Sequence, residues 1–117
     1  LLNHISKFQY TTKVILIKSE QVDEYSKSSN LIVNCTPIGM NEKDPLLVSP
    51  NVFSSKQFVY DLVYTPPMTK LLSSAKSAGA KILNGMDMLA YQGAESFSIW
   101  EGVKPPYEIM RKELANA

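Results

Sequence analysis

One histidine (His4) and one cysteine (Cys35) occur among the 117 residues. With a single copy of each, no Ser/His/Asp triad, Cys/His pair or His/Cys metal cluster can be drawn. The chemistry on offer is of another kind. Three short stretches combine small, amide, hydroxyl and thioether side chains: Asn34-Cys35-Thr36-Pro37-Ile38-Gly39-Met40, Asp61-Leu62-Val63-Tyr64 and Asn84-Gly85-Met86. Such residues orient a ligand; they do not attack it.

Each candidate has a structural reading beside a functional one. Gly85 eases a tight strand-to-helix turn, or it lets a flat ring approach the backbone next to free helix-N-terminal amides. Gln92, expected to be partly buried, needs partners for both ends of its amide, supplied by backbone or by a ligand. Tyr64 caps a sheet edge or offers its phenol to a substrate. Asp61 in a strand is expected to accept backbone amides. Met40, Met86 and Met88 fill core by default. Lys43, Asp44 and His4 read as solvated.

The three stretches need a scaffold that brings them together, and the apolar pattern supplies one. Lys13 to Ile17, Leu31 to Cys35, Gln57 to Tyr64 and Ala80 to Leu83 are short apolar or β-branched runs, the first two suited to strands buried on both faces. Between them, Glu20 to Lys27 reads as a short helix and Met68 to Ala78 as a longer one, opened by Pro66-Pro67 and closed by Gly79. Asn84 and Asp87 resemble an N-cap and its acidic third-position partner. They open a helix with Met86, Leu89, Ala90, Gly93, Ala94, Phe97 and Trp100 on one stripe. Gly102 ends it, and Pro105-Pro106 starts a last helix with Tyr107, Met110 and Leu114 on its apolar side. The connection from about Thr36 to Lys56 is long enough to read as functional or disordered. Alternating strands and helices define an open parallel α/β sheet, whose ligands bind beyond the carboxyl ends of the strands. All three stretches fall on that edge.

Composition narrows the partners. Twelve basic residues face eleven acidic ones, with no basic block, which argues against nucleic acid or an anionic membrane as a partner. Apolar runs of a few residues are too short to span a bilayer. A lone thiol fits a reducing, cytoplasmic setting. At the start, Leu1, Leu2, Ile5 and Phe8 recur at helical spacing without an initiator Met, which reads as the tail of a helix and the chain as a fragment.

In order and spacing, the three stretches, together with Pro45-Leu46, Thr69-Lys70-Leu71-Leu72, Met88-Leu89, Gln92 and Phe97-Ser98-Ile99-Trp100, resemble shikimate dehydrogenase from about Leu31 to Pro106. The resemblance implies a Rossmann-like NADP-binding domain, with residues 1–117 as its C-terminal part including the last helices. It implies reduction of 3-dehydroshikimate to shikimate with NADPH, in aromatic amino-acid biosynthesis. It also implies roles: Thr36, Leu62, Gly85 and Met88 beside the nicotinamide, and Tyr64 and Gln92 reaching across a cleft to the substrate.

The departures carry as much information. The family's catalytic Lys and Asp belong to an N-terminal substrate domain with no match here, so no catalytic residue is assigned in this chain. No G-x-G turn for a pyrophosphate occurs, and the Asn-Arg-Thr segment that selects the 2′-phosphate is missing. In a 3-2-1-4-5-6 strand order, Val14 to Ile17 would be strand 3 and Leu31 to Cys35 strand 4; strands 1 and 2, which belong between them, are not in this sequence. Val14 to Ile17 would then be an orphan strand, and the 117 residues alone are not expected to form the native sheet. Two further readings stay open: a non-catalytic dinucleotide-binding or regulatory module, and a quinate/shikimate dehydrogenase using NAD.

Overall fold

Three parallel strands, β1 (Leu31–Asn34), β2 (Phe58–Asp61) and β3 (Lys81–Leu83), lie side by side in that order in the computed structural model, which describes residues 13–116. Leu31 pairs with Phe58 and Asn34 with Asp61; Phe58 pairs in turn with Lys81. Parallel neighbours require crossovers: the 35–57 connection joins β1 to β2, and α2 (Lys70–Ser77) joins β2 to β3. A helix α1 (Val22–Ser28) precedes the sheet, and α3 (Met86–Glu101) and α4 (Tyr107–Asn116) follow it. The α/β class with a partial Rossmann-like parallel sheet is therefore the architecture of this chain.

The core sits on one face of the sheet. α2 buries Leu71, Leu72 and Ala75 at i, i+1 and i+4 against Val59 of β2. Fully burying a leucine in this way contributes about 1.5–3 kcal/mol. The long connection after β1 is ordered: it forms a 3-10 turn at Pro50–Val52 and adds Val48, Val52 and Phe53 to the same core. The opposite face is open, with Leu31, Val33, Phe58 and Leu83 all exposed. Burial on both faces, expected for Leu31 to Cys35, is thus corrected to burial on one.

Other boundaries shift for identifiable reasons. Residues 13–17 join no strand, and Val14, Ile15 and Leu16 are exposed, because no strand of the described sheet lies beside them to accept their hydrogen bonds. β2 stops at Asp61 rather than Tyr64, since the Asp61 carboxylate accepts the Val63 amide at 3.1 Å and turns the chain. α2 starts at Lys70 rather than Met68: Thr69 caps it, accepting the Leu72 amide at 3.2 Å. α3 has no side-chain cap; Asn84 instead accepts the Met86 amide in a local turn.

α3 and α4 form an antiparallel pair. Tyr91 stacks on Tyr107 with centroids 4.2 Å apart, and Arg111 donates to Asp87 at 2.6 Å. The ion pair is half-exposed, so the stack and the approach of Met110 to Gly93 hold the two helices together more than the charges do. Ala90 and Ala94 are buried, but Trp100 is 79% exposed, so the apolar stripe ends at Phe97. The helical tail read at Leu1 to Phe8, and His4 within it, lie outside the described residues.

Candidate functional site

At the carboxyl end of the sheet, the last residues of β1 and β2 are paired polar side chains, Asn34 and Asp61, both buried. A strand that is half apolar ends here in two groups that must be satisfied internally. They satisfy each other: Asn34 Nδ2 donates to Asp61 Oδ1 at 2.9 Å and to the Ile38 carbonyl at 3.0 Å. Asn34 Oδ1 accepts both the backbone amide and the hydroxyl of Thr36, at 2.9 and 2.7 Å. All four hydrogen-bonding positions of the Asn34 amide are used.

Thr36 is closed in the same way. Its hydroxyl donates to Asn34 and accepts the Ile38 amide at 3.2 Å. The single hydroxyl proton is committed to the protein, so Thr36 presents its methyl group and backbone to the cleft rather than a free donor. The turn that follows is organised by Asp44. Its carboxylate accepts the amides of Gly39 at 2.8 Å and Asn41 at 3.1 Å. Those two amides, and more weakly Lys70, hold the Asp44 carboxyl below its usual 3.8. Asp44 is therefore a loop organiser, which corrects its reading as solvated. Gly39 takes φ +111°, a backbone conformation that disfavours side chains.

Asp61 faces three donors. Besides Asn34 it accepts the Val63 amide and, at 2.6 Å, the Thr69 hydroxyl. Sequence reasoning anticipated an amide acceptor but not the side-chain partners on β1 and α2. The signal was present, in a polar residue closing each of two adjacent apolar strands and a Thr ahead of the Lys-Leu-Leu run.

Thr36, Leu62 and Tyr64 line one open cleft of about 330 Å³ beyond these strand ends, with Cys35 and Met40 beside them. Tyr64 is exposed at its lip and Leu62 is half-buried. Its lining is largely apolar and fits the flat face of a ring better than a charged group. A larger cleft of about 610 Å³ lies between the 38–47 loop and the start of α2, lined by Leu46, Met68 and Lys70 among others. It contains none of the site residues expected from the sequence, whereas three of them meet at the smaller cleft, which is therefore the candidate site.

Gly85 approaches that cleft from behind. It is buried, and a Cβ placed on it would lie 2.0 Å from the Leu62 carbonyl oxygen. Its amide donates to the Val63 carbonyl at 3.2 Å. The close approach is thus first of all to the protein's own backbone, and it locks the start of α3 against the end of β2. Met88 is half-buried and Gln92 exposed on α3; neither lines the cleft. The expected partial burial of Gln92 is corrected: it is exposed, while its neighbours Tyr91 and Gly93 take the contacts with α4. Among the described residues no group of three or more His, Cys, Asp or Glu could hold a metal ion. No helix among them is long and apolar enough to cross a membrane.

Parallel strands flanked by helices, with a cleft at their carboxyl ends, define a partial Rossmann-like α/β unit. Residues 85–115 match the family model described as the shikimate 5'-dehydrogenase C-terminal domain. A shikimate dehydrogenase (NADP(+)) of Methanocella arvoryzae is 44% identical over 84% of this chain and 36% of its own length. A crystal structure of a shikimate dehydrogenase in complex with NADP+ superposes with a TM-score of 0.71, at 42% identity over 74% of this chain and 31% of that one. Quinate dehydrogenase from Corynebacterium glutamicum, in complex with NAD, gives a TM-score of 0.80 at 25% identity over 86% of this chain and 36% of that one. By sequence and by fold the chain is similar to part of the shikimate dehydrogenases. It spans little more than a third of the length of the curated relatives it matches, 36% and 39% in two of them.

Proposed function

We propose that this chain is the C-terminal part of an NADP-binding domain, and supplies the nicotinamide side of a shikimate dehydrogenase active site. The observation that supports this best is the meeting of Thr36, Leu62 and Tyr64 around one cleft at the strand ends, in a chain whose relatives carry that name. In this reading the intact protein transfers a hydride between NADP(H) and the substrate, reversibly reducing 3-dehydroshikimate to shikimate. When bound, the dinucleotide supplies the hydride; the residues of this chain bind and orient. Leu62 and Met88 pack against the nicotinamide, Gly85 meets it through backbone, and Thr36 lines its ribose side with methyl and main chain. Tyr64 and Gln92 reach the substrate from solvent-facing positions, which suits groups that must cross to a ligand held from the other side. The proton is transferred by groups outside these 117 residues, so the chain by itself does not turn over. The setting is cytoplasmic, and the partners are small molecules and the remainder of the polypeptide.

The test uses the intact protein that carries this sequence, assayed for NADPH oxidation with 3-dehydroshikimate. Tyr64→Phe and Gln92→Ala are each expected to lower kcat/KM for the substrate about tenfold or more, the usual scale for one lost hydrogen bond to a ligand. Unchanged KM and kcat in both variants would remove their substrate roles. A second reading, a quinate/shikimate dehydrogenase using NAD, is favoured by the fold match to the NAD-bound quinate enzyme. Rates with both dinucleotides against both substrates separate the two.

A further inference from the structure

We propose that Asp61, to which no ligand contact is assigned, is the positioning residue of the cleft, fixing its Thr36 rim and its Tyr64 rim relative to each other. The inference rests on the functional reading above. Asp61 is fully buried at the last position of β2, between the two stretches that make the rims. Its carboxylate reaches each of them separately. Through Asn34 it holds the Thr36 turn: Asn34 Nδ2 donates to Asp61 Oδ1, and Asn34 Oδ1 accepts both polar groups of Thr36. Through the Val63 amide, again on Oδ1, it sets the bend that carries Leu62 and Tyr64. A third contact, from the Thr69 hydroxyl to Oδ2, ties in the cap of α2 and lies away from the rims. Removing a buried acceptor with three donors is destabilising whatever its role, so what marks Asp61 is where those donors lie. Here two of the three donors belong to segments that line the same cleft. Hydride transfer depends on the relative placement of two ligands, and a shift of about 1 Å can cost about a hundredfold in rate.

The experiment uses the intact protein and three variants. Asp61→Ala removes the acceptor of both rim donors. Asp61→Asn keeps it, because its amide oxygen takes the Oδ1 place while its NH2 turns to the Thr69 hydroxyl. Thr69→Val removes the α2 contact alone. Asp61→Ala is expected to lower kcat about 10–100-fold and to raise the alkylation rate of Cys35, the exposed neighbour of both Asn34 and Thr36, at least fivefold by iodoacetamide and peptide mass mapping. Asp61→Asn should recover at least tenfold of the lost kcat. Thr69→Val should lower the melting temperature and leave kcat, KM and Cys35 alkylation within twofold. Asp61→Ala with kcat and Cys35 reactivity within twofold of the unaltered protein would overturn the proposal, as would Asp61→Asn no better than Asp61→Ala. If the unaltered protein does not oxidise NADPH with 3-dehydroshikimate, the functional reading fails, and the Cys35 rates still decide whether Asp61 holds the Thr36 rim. If Asp61→Ala is insoluble, Asn34→Ala, which cuts only the link to the Thr36 rim, takes its place in both comparisons with the same outcomes deciding.

Discussion

Gly85 shows how a single residue can carry two constraints that are separable by measurement. A side chain there has no space, because its Cβ would meet the Leu62 carbonyl oxygen at 2.0 Å, and that obstacle is backbone rather than the tip of a flexible side chain. Gly85→Ala must therefore displace the end of β2 or the start of α3. Overpacking of this kind costs about 3 kcal/mol, and chemical denaturation of the intact protein should show a loss of that size. A loss below about 1 kcal/mol would mean that the two segments slide apart easily. Gly93 offers the contrast within the same helix. Its Cβ would meet the terminal methyl of Met110 at 3.0 Å, a flexible partner that can move aside.

At the scale of elements, the 36–44 turn is held by a carboxylate rather than by apolar packing. Asp44 accepts the Gly39 and Asn41 amides, and this lowers its folded-state pKa below the usual 3.8. The sign follows from linkage: a depressed carboxylate contributes stability fully above its unfolded pKa, and that contribution is lost as pH falls through the lower folded value. The Gly39 and Asn41 amides should stay protected from exchange at about pH 5 and lose protection only as pH falls through the depressed folded value, before the β2 amides do. Simultaneous loss across both segments would argue against a local role for Asp44. The sequence showed this turn only in part. Pro37 and Gly39 marked where pairing stops, and the parallel sheet followed from apolar runs separated by helical ones. What stayed hidden was side-chain bonding between residues far apart in the chain, such as Asn34 with Asp61 and Asp61 with Thr69. Periodicity reports which face is apolar and is silent on which polar groups meet. The same limit explains α2, whose start is set by the Thr69 hydroxyl and not by the prolines before it.

For the whole molecule, the decisive feature is a sheet covered on one side. Leu31, Val33, Phe58 and Leu83 leave the second face apolar and open, and Val14 to Leu16 lie exposed without a strand partner. Such surface binds whatever apolar material is available. The 117-residue chain on its own is expected to bind an environment-sensitive apolar dye strongly, with amides of residues 14–17 exchanging nearly unprotected. A cooperative melt with those amides strongly protected would show that the open face closes without help. The cleft also depends on this scale. Its rims are built in the chain, and Tyr64 and Gln92 face solvent, as their proposed substrate roles require.

The contact between Gly85 and Leu62 also bears on how surviving copies of such a chain should be read. A glycine kept by backbone carpentry persists for as long as the fold is kept, whether or not turnover is still under selection. A descendant that had lost its chemistry and retained only a scaffolding task would keep it too. Presence of glycine at this position is therefore a marker of an intact strand-to-helix junction, whereas Tyr64, exposed and free of any such packing duty, would be the more sensitive record of the proposed activity.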